Sequence, residues 1–163
     1  MGLDMYLTRK SYLWGEYNKE TGKYEHGVKV EGLPLLPDGQ VKEICEEAAY
    51  WRKANQIHNW FVQNVQDWED ECNPYDVSLE QLQELVDTCK KVLANPELAG
   101  TLLPTASGFF FGGTDYDEWY VQDLESTVKQ LEPLIAFEKE LESKRTEDEP
   151  RMAWVSYEYR SSW

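Results

Sequence analysis

Residues 50–62 read YWRKANQIHNWFV, and the fold turns on what this stretch builds. At 3.6 residues per turn, Ala54, Ile57 and Phe61 fall on one apolar stripe that continues to Val65 and Trp68, while Arg52, Asn55, His58 and Asn59 gather beside it. The same period extends backwards through Val41, Ile44, Ala48 and Trp51, so the spacing predicts one long helix from Val41 to about Trp68. Its stripe would bury against a sheet. Its polar set would either hold a ligand or tie core to surface, and both uses stay open at this point.

Downstream, residues 67–76 (DWEDECNPYD) combine five acids with Asn73-Pro74 and read as a surface loop. Ser78 followed by Gln81 forms a capping box, and Leu82, Leu85, Val86, Cys89, Val92 and Leu93 give the helix behind it one apolar face, which Asn95-Pro96 ends. Residues 101–113 (TLLPTASGFFFGG) suit a short buried strand or an extended loop. A third helix is predicted from Thr114 on the rhythm Val121, Leu124, Val128, Leu131, Ile135, with Pro133 expected to kink or restart it. After a charged linker at 144–150, Met152 to Arg160 alternates as a last strand.

Upstream, Leu3, Met5 and Leu7 alternate with Asp4, Tyr6 and Thr8 as a strand does. Tyr12 to Tyr17 and Tyr24 to Val30, the latter with His26 on its apolar face, read as a hairpin closed by NKETGK; Gly32, Pro34, Pro37 and Gly39 then form a connector. Together these predict a single α+β domain over 1–163. It is a two-layer sandwich: a small antiparallel sheet, made of the N-terminal hairpin and the C-terminal strand, packed against about three helices.

A chain of 163 residues can bury a core without disulfides or metals. Its three cysteines, Cys45, Cys72 and Cys89, are odd in number and lack CxxC spacing, and two of them fall on the apolar side of predicted helices, which predicts reduced, buried thiols. No apolar run is long enough to span a bilayer and no signal pattern opens the chain, so a cytoplasmic protein is expected, without membrane partners. The net charge of −15 is unevenly spread, since residues 67–142 hold eighteen of the acids and only four of the bases. That disfavours direct nucleic-acid binding, which draws its affinity from Lys and Arg, and it favours a basic protein partner. Asp67, Glu69, Asp70 and Glu71 are the expected acidic docking surface.

Residues 112–120 (GGTDYDEWY) set two glycines before a helix start, where free backbone N–H groups can bind phosphate. Asp115, Asp117 and Glu118 argue for an acid-capped helix instead, because they stabilise its dipole and repel an anion. The acids do not follow calcium-loop spacing, and two histidines with scattered cysteines make no zinc site, so neither a metal nor a cofactor is expected. His58 with a cysteine and an acid supplies the residue types of a hydrolase but no nucleophile-elbow pattern, so no catalytic residue is assigned. The remaining candidate contact set joins Arg52, Asn55 and His58 with Tyr116, Asp117 and Trp119. These would meet if the two helices pack antiparallel, pairing Arg52 with Asp117 either as an internal salt bridge or as the wall of a small pocket.

MGLDMYL at the start, YWRKANQIHNWFV, SGFFFGGTDYDEWY and the closing SSW together resemble a family of small uncharacterised proteins of bacteriophages and prophages. The resemblance implies no activity, fold or site residue. It implies a phage protein acting in the host cytoplasm on host or competitor machinery. The resulting expectation is a non-enzymatic protein that binds and modulates or inhibits a basic, nucleic-acid-handling host protein, as defence inhibitors and DNA mimics do, with anti-CRISPR-like action as one case. The alternative is a small-molecule or nucleotide binder, with or without enzymatic activity, with its pocket between the central helix and the start of the GGTDYDEWY helix.

Overall fold

Leu3, Met5 and Leu7 are fully buried while Tyr6 between them is exposed, the alternation of a strand with one covered face. This strand, β1 (Asp4–Leu13), lies inside the sheet of the computed structural model, which describes residues 2–25, 28–37, 39–108, 111–146 and 153–163. His26, Phe109, Phe110, the linker from 147 onward and Met152 lie outside the described residues. Buried strand backbone must be paired on both sides. On one side β1 pairs antiparallel with the C-terminal strand β6 (Ala153–Ser162), from Asp4 opposite Ser162 to Leu13 opposite Ala153.

Its other neighbour overturns the long central helix. Residues expected to start that helix form strand β4 (Glu43–Arg52), which pairs with β1 from Arg52 opposite Asp4 to Glu43 opposite Tyr12. Glu and Ala at 46–49 favour a helix intrinsically, but that preference is worth only tenths of a kcal/mol per residue and gives way to the ladder β1 requires. The register slips between Leu7, opposite Ala49, and Thr8, opposite Glu47, which leaves Ala48 as a bulge. Beyond it Ala49 and Trp51 face the core and Tyr50 and Arg52 face out.

Lys53 then turns the chain at φ +60°, its N–H held by the Leu3 carbonyl at 2.7 Å, and the helix proper, α1 (Asn55–Asn64), begins. Ile57 and Phe61 are fully buried as the stripe predicted, but Trp68 is exposed, because the chain has left the helix four residues earlier. The expected surface loop contains a short strand, β5 (Tyr75–Val77), that pairs with β6. The sheet order is therefore β4-β1-β6-β5, antiparallel throughout. The N-terminal hairpin is present only as β2 (Glu16–Asn18) and β3 (Lys23–Glu25), a separate two-stranded sheet, and residues 28–30 are not strand.

The architecture is α+β, with helices on one face of the main sheet. Helix α2 (Leu79–Ala94) starts on the complete Ser78/Gln81 capping box and ends at Asn95, with Leu82, Leu85, Val86 and Cys89 fully buried. A 3₁₀ turn (Pro96–Leu98) and α3 (Ala99–Leu102) follow. Helix α4 (Glu118–Lys144) starts later than expected, with Asp117 as its N-cap, and runs through Pro133 without restarting. Pro133 and Lys129, whose carbonyl loses its helical donor there, are both exposed, so water can replace the missing bond. Leu124 and Leu131 are fully buried and each contributes about 1.5–3 kcal/mol through removal of apolar surface from water. No helix among the described residues is long and apolar enough to cross a membrane.

Candidate functional site

The turn at Lys53 sets the end of β4 and the start of α1 against the start of α4, and a cavity of about 270 Å³ opens between them. Of the six residues expected to meet, Arg52, Asn55, Asp117 and Trp119 line it. They do not meet as expected. Arg52 makes no ion pair with Asp117 among the described residues; its Nε lies 3.9 Å from Asp4 Oδ1, on the outer side of the sheet. Asp117 Oδ1 accepts the N–H groups of Trp119 (3.0 Å) and Tyr120 (3.1 Å), two of the donors that a helix start leaves open. The two were expected to pair on helix geometry, and Arg52 is in a strand.

Asn55 is buried and fully engaged. Its Nδ2 donates to the carbonyls of Phe111 (3.0 Å) and Gly113 (2.8 Å), and its Oδ1 accepts from the Ala106 N–H (3.0 Å). Asn59 donates to the Pro104 carbonyl, so two asparagines of α1 pin residues 104–106 and the stretch 111–113 onto the helix. Gly112, at φ +86°, lets this stretch pack on Lys53. Tyr116 stands outside the cavity, its ring edge-on to Tyr120 at 5.0 Å. Trp119 is 73% exposed at the rim.

The cavity has a floor that sequence reading missed. Gln56, 2% exposed, donates through Nε2 to Asp123 Oδ2 at 3.0 Å. Burial holds the Asp123 carboxyl above the usual aspartate range; the Gln56 bond opposes that shift and nearby Asp117 adds to it. The signal was an acid three residues from Tyr120 and beside Leu124, on the edge of the α4 stripe.

His58 faces the other way, into the core. A carboxylate can only accept, so Nε2 carries the imidazole hydrogen and donates to Asp70 Oδ1 at 3.0 Å, leaving Nδ1 to accept the Tyr159 hydroxyl at 2.7 Å. Tyr159 in turn stacks on Phe61 with ring centroids 3.8 Å apart. Burial lowers the His58 pKa, against the opposing pull of Asp70. Asp70 also accepts from Trp163 Nε1 at 3.2 Å. It belongs to the expected docking surface, yet it anchors the loop to the core. The neighbouring carbonyls are tied down too, that of Glu71 by Gln66 and Ser161 and that of Cys72 by Arg160.

Asp67, Glu69 and Glu71 are exposed, and Asp67 and Trp68 both hold positive φ, +50° and +67°. A bulky residue there costs on the order of 1–3 kcal/mol. The conformation presents Trp68, 72% exposed, between two acids. Further acid lies on the helical layer. Glu80, Glu84 and Asp87 of α2, and Glu118 and Glu125 of α4, are exposed and have no ion-pair partner among the described residues. No cluster of three or more metal-ligating side chains occurs among the described residues. No protein-family model matches this chain, and no curated protein or solved structure matches it either.

Proposed function

We propose that this chain is a non-enzymatic interaction protein that docks through its acidic helical layer on a basic, nucleic-acid-handling protein. The supporting observation is where the unpaired acids stand. Helices α2 and α4 pack against each other on one face of the sheet, and Glu80, Glu84, Asp87, Glu118 and Glu125 line their outward sides without internal counter-charges among the described residues. Such a surface steers a cationic partner and presents spaced carboxylates where DNA would present phosphates. Asp67 and Glu69 add exposed acid on the loop, where Trp68 offers the large exposed aromatic that interfaces use as an anchor. The resemblance to phage proteins carries the reading further, to inhibition of a host protein, with anti-CRISPR-like action as one case.

Three aspartates that line the cavity, Asp115, Asp117 and Asp123, oppose a nucleotide phosphate there. The decisive experiment is affinity capture of basic bacterial proteins at low and high salt, followed by competition with duplex DNA. A captured partner should be released by salt and by DNA. It should also bind a quadruple variant (Glu80→Gln, Glu84→Gln, Asp87→Asn, Glu125→Gln) with a much slower association rate. Binding indifferent to salt, to DNA and to these substitutions would remove the proposal.

A further inference from the structure

We infer that the cavity beside α4 is a receptor for a guanidinium group, an arginine side chain of the basic partner, with Asp123 supplying the counter-charge. The inference rests on the interaction reading above and says where its most specific contact is made. Its ground is an unmet demand at the cavity floor. Asp123 is partly buried, and its side chain has one partner among the described residues, the neutral amide of Gln56. Gln56 is almost wholly buried, and its own amide oxygen accepts no hydrogen bond among the described residues. The floor therefore offers a carboxylate and an amide oxygen, two acceptors without a cationic donor. Desolvating a carboxylate is costly unless a cation pairs with it.

The two cations on the cavity wall do not meet this demand. Arg52 is drawn toward Asp4, and Lys53 lays its side-chain stem along Gly112 and makes no ion pair among the described residues. Guanidinium matches the floor better than ammonium. It is planar, stays charged, and presents N–H groups as a fork that can reach two acceptors at once. At the mouth, the exposed ring of Trp119 provides a face on which such a group can stack. At about 270 Å³ the cavity falls just below the range that holds drug-sized ligands, which suits one side chain.

The test uses the whole chain and three small probes: N-acetyl-arginine amide, N-acetyl-lysine amide and N-acetyl-citrulline amide, whose side chain keeps the arginine shape but is neutral. Binding is read by NMR at the Trp119 indole N–H, assigned through Trp119→Phe. The arginine probe should give saturable shifts, the lysine probe should bind more weakly, and the citrulline probe should bind about tenfold more weakly or not at all. Asp123→Asn should lose the arginine preference. Trp119→Ala, at an exposed position where folding is not at risk, should weaken arginine binding as followed at the Gln56 side-chain amide.

Equal binding of arginine and citrulline, retention of the preference in Asp123→Asn, or no saturable shift in the unmodified protein overturns the assignment. The two readings fail separately. A silent cavity with salt-sensitive capture intact removes the receptor and leaves the acidic layer. Arginine binding without any captured basic protein does the reverse.

Discussion

Replacing Asp70 with alanine should destabilise the protein, although Asp70 sits among acids that can be neutralised at almost no cost. Its carboxylate is the acceptor for His58 Nε2–H, and the imidazole is almost wholly buried. Losing the acceptor strands a buried donor, a penalty of about 1–3 kcal/mol. The Asp70 side chain is itself 37% exposed, so water can partly take its place, and the lower end, about 1–2 kcal/mol, is expected. The bond to Trp163 adds little, because that indole is half exposed. For a chain of this length each kcal/mol shifts Tm by about 2–4 °C. Urea denaturation should therefore place Asp70→Ala clearly below the unmodified protein, with Asp70→Asn between them, since its amide oxygen still accepts. The triple variant Asp67→Asn, Glu69→Gln, Glu71→Gln should stay within about 0.5 kcal/mol. Equal midpoints for Asp70→Ala and the triple variant would refute the assignment of Asp70 as the anchor of His58.

Three further outcomes follow from the same kind of reasoning. Arg9 bonds Glu138 at 2.5 Å and Glu46 at 2.7 Å, and Glu138 also accepts the Tyr157 hydroxyl at 2.6 Å; Arg9→Ala leaves that partly buried carboxylate without its cation and should cost about 1–3 kcal/mol by urea denaturation. The pH dependence has two opposed parts. His58 has a lowered folded pKa, so below its unfolded value the unfolded chain binds the proton first and stability falls as pH drops toward the folded pKa. Asp123 has a raised folded pKa, so it destabilises the fold once ionised and this cost is relieved on acidification. Asp123→Asn should accordingly raise Tm at neutral pH and abolish that relief, while leaving the His58 limb in place. Finally, Cys89 is buried with its thiol pushed up to about 12, whereas Cys45 is exposed, so a thiol reagent on the native protein should modify Cys45 rapidly and Cys89 only after unfolding, as read by mass spectrometry.

The Trp68 loop separates two roles that the sequence runs together. Residues 67–71 look uniformly like solvated acid, yet Asp70 is tied through His58 to Tyr159, while Asp67 and Glu69 flank an exposed tryptophan held at positive φ. Trp68→Ala should leave stability nearly unchanged, because the indole is exposed and alanine keeps the Cβ that strains this backbone, while under the proposed interaction it should weaken partner binding through loss of an anchor.

Much of this molecule is written in local pattern. The alternation of Leu3, Met5 and Leu7, the Ser78/Gln81 box, the apolar face of α2 with its stop at Asn95-Pro96, and the stripe through Leu124 and Leu131 each depend on neighbours a few residues away, and each is found in the fold. The concentration of charge in residues 67–142 is likewise a property of composition. Tertiary structure alone decided the fate of Glu43–Arg52, because a small helical preference is weaker than the ladder that a central strand demands of its neighbour. It also decided the three-residue β5, too short to carry a pattern, and the turn at Lys53, whose positive φ no residue type announces there. Above all it chose the partners: His58 with Tyr159 across 101 positions and Gln56 with Asp123 across 67. Such pairs form because folding removes both groups from water at the same place, and spacing along the chain carries no record of that meeting.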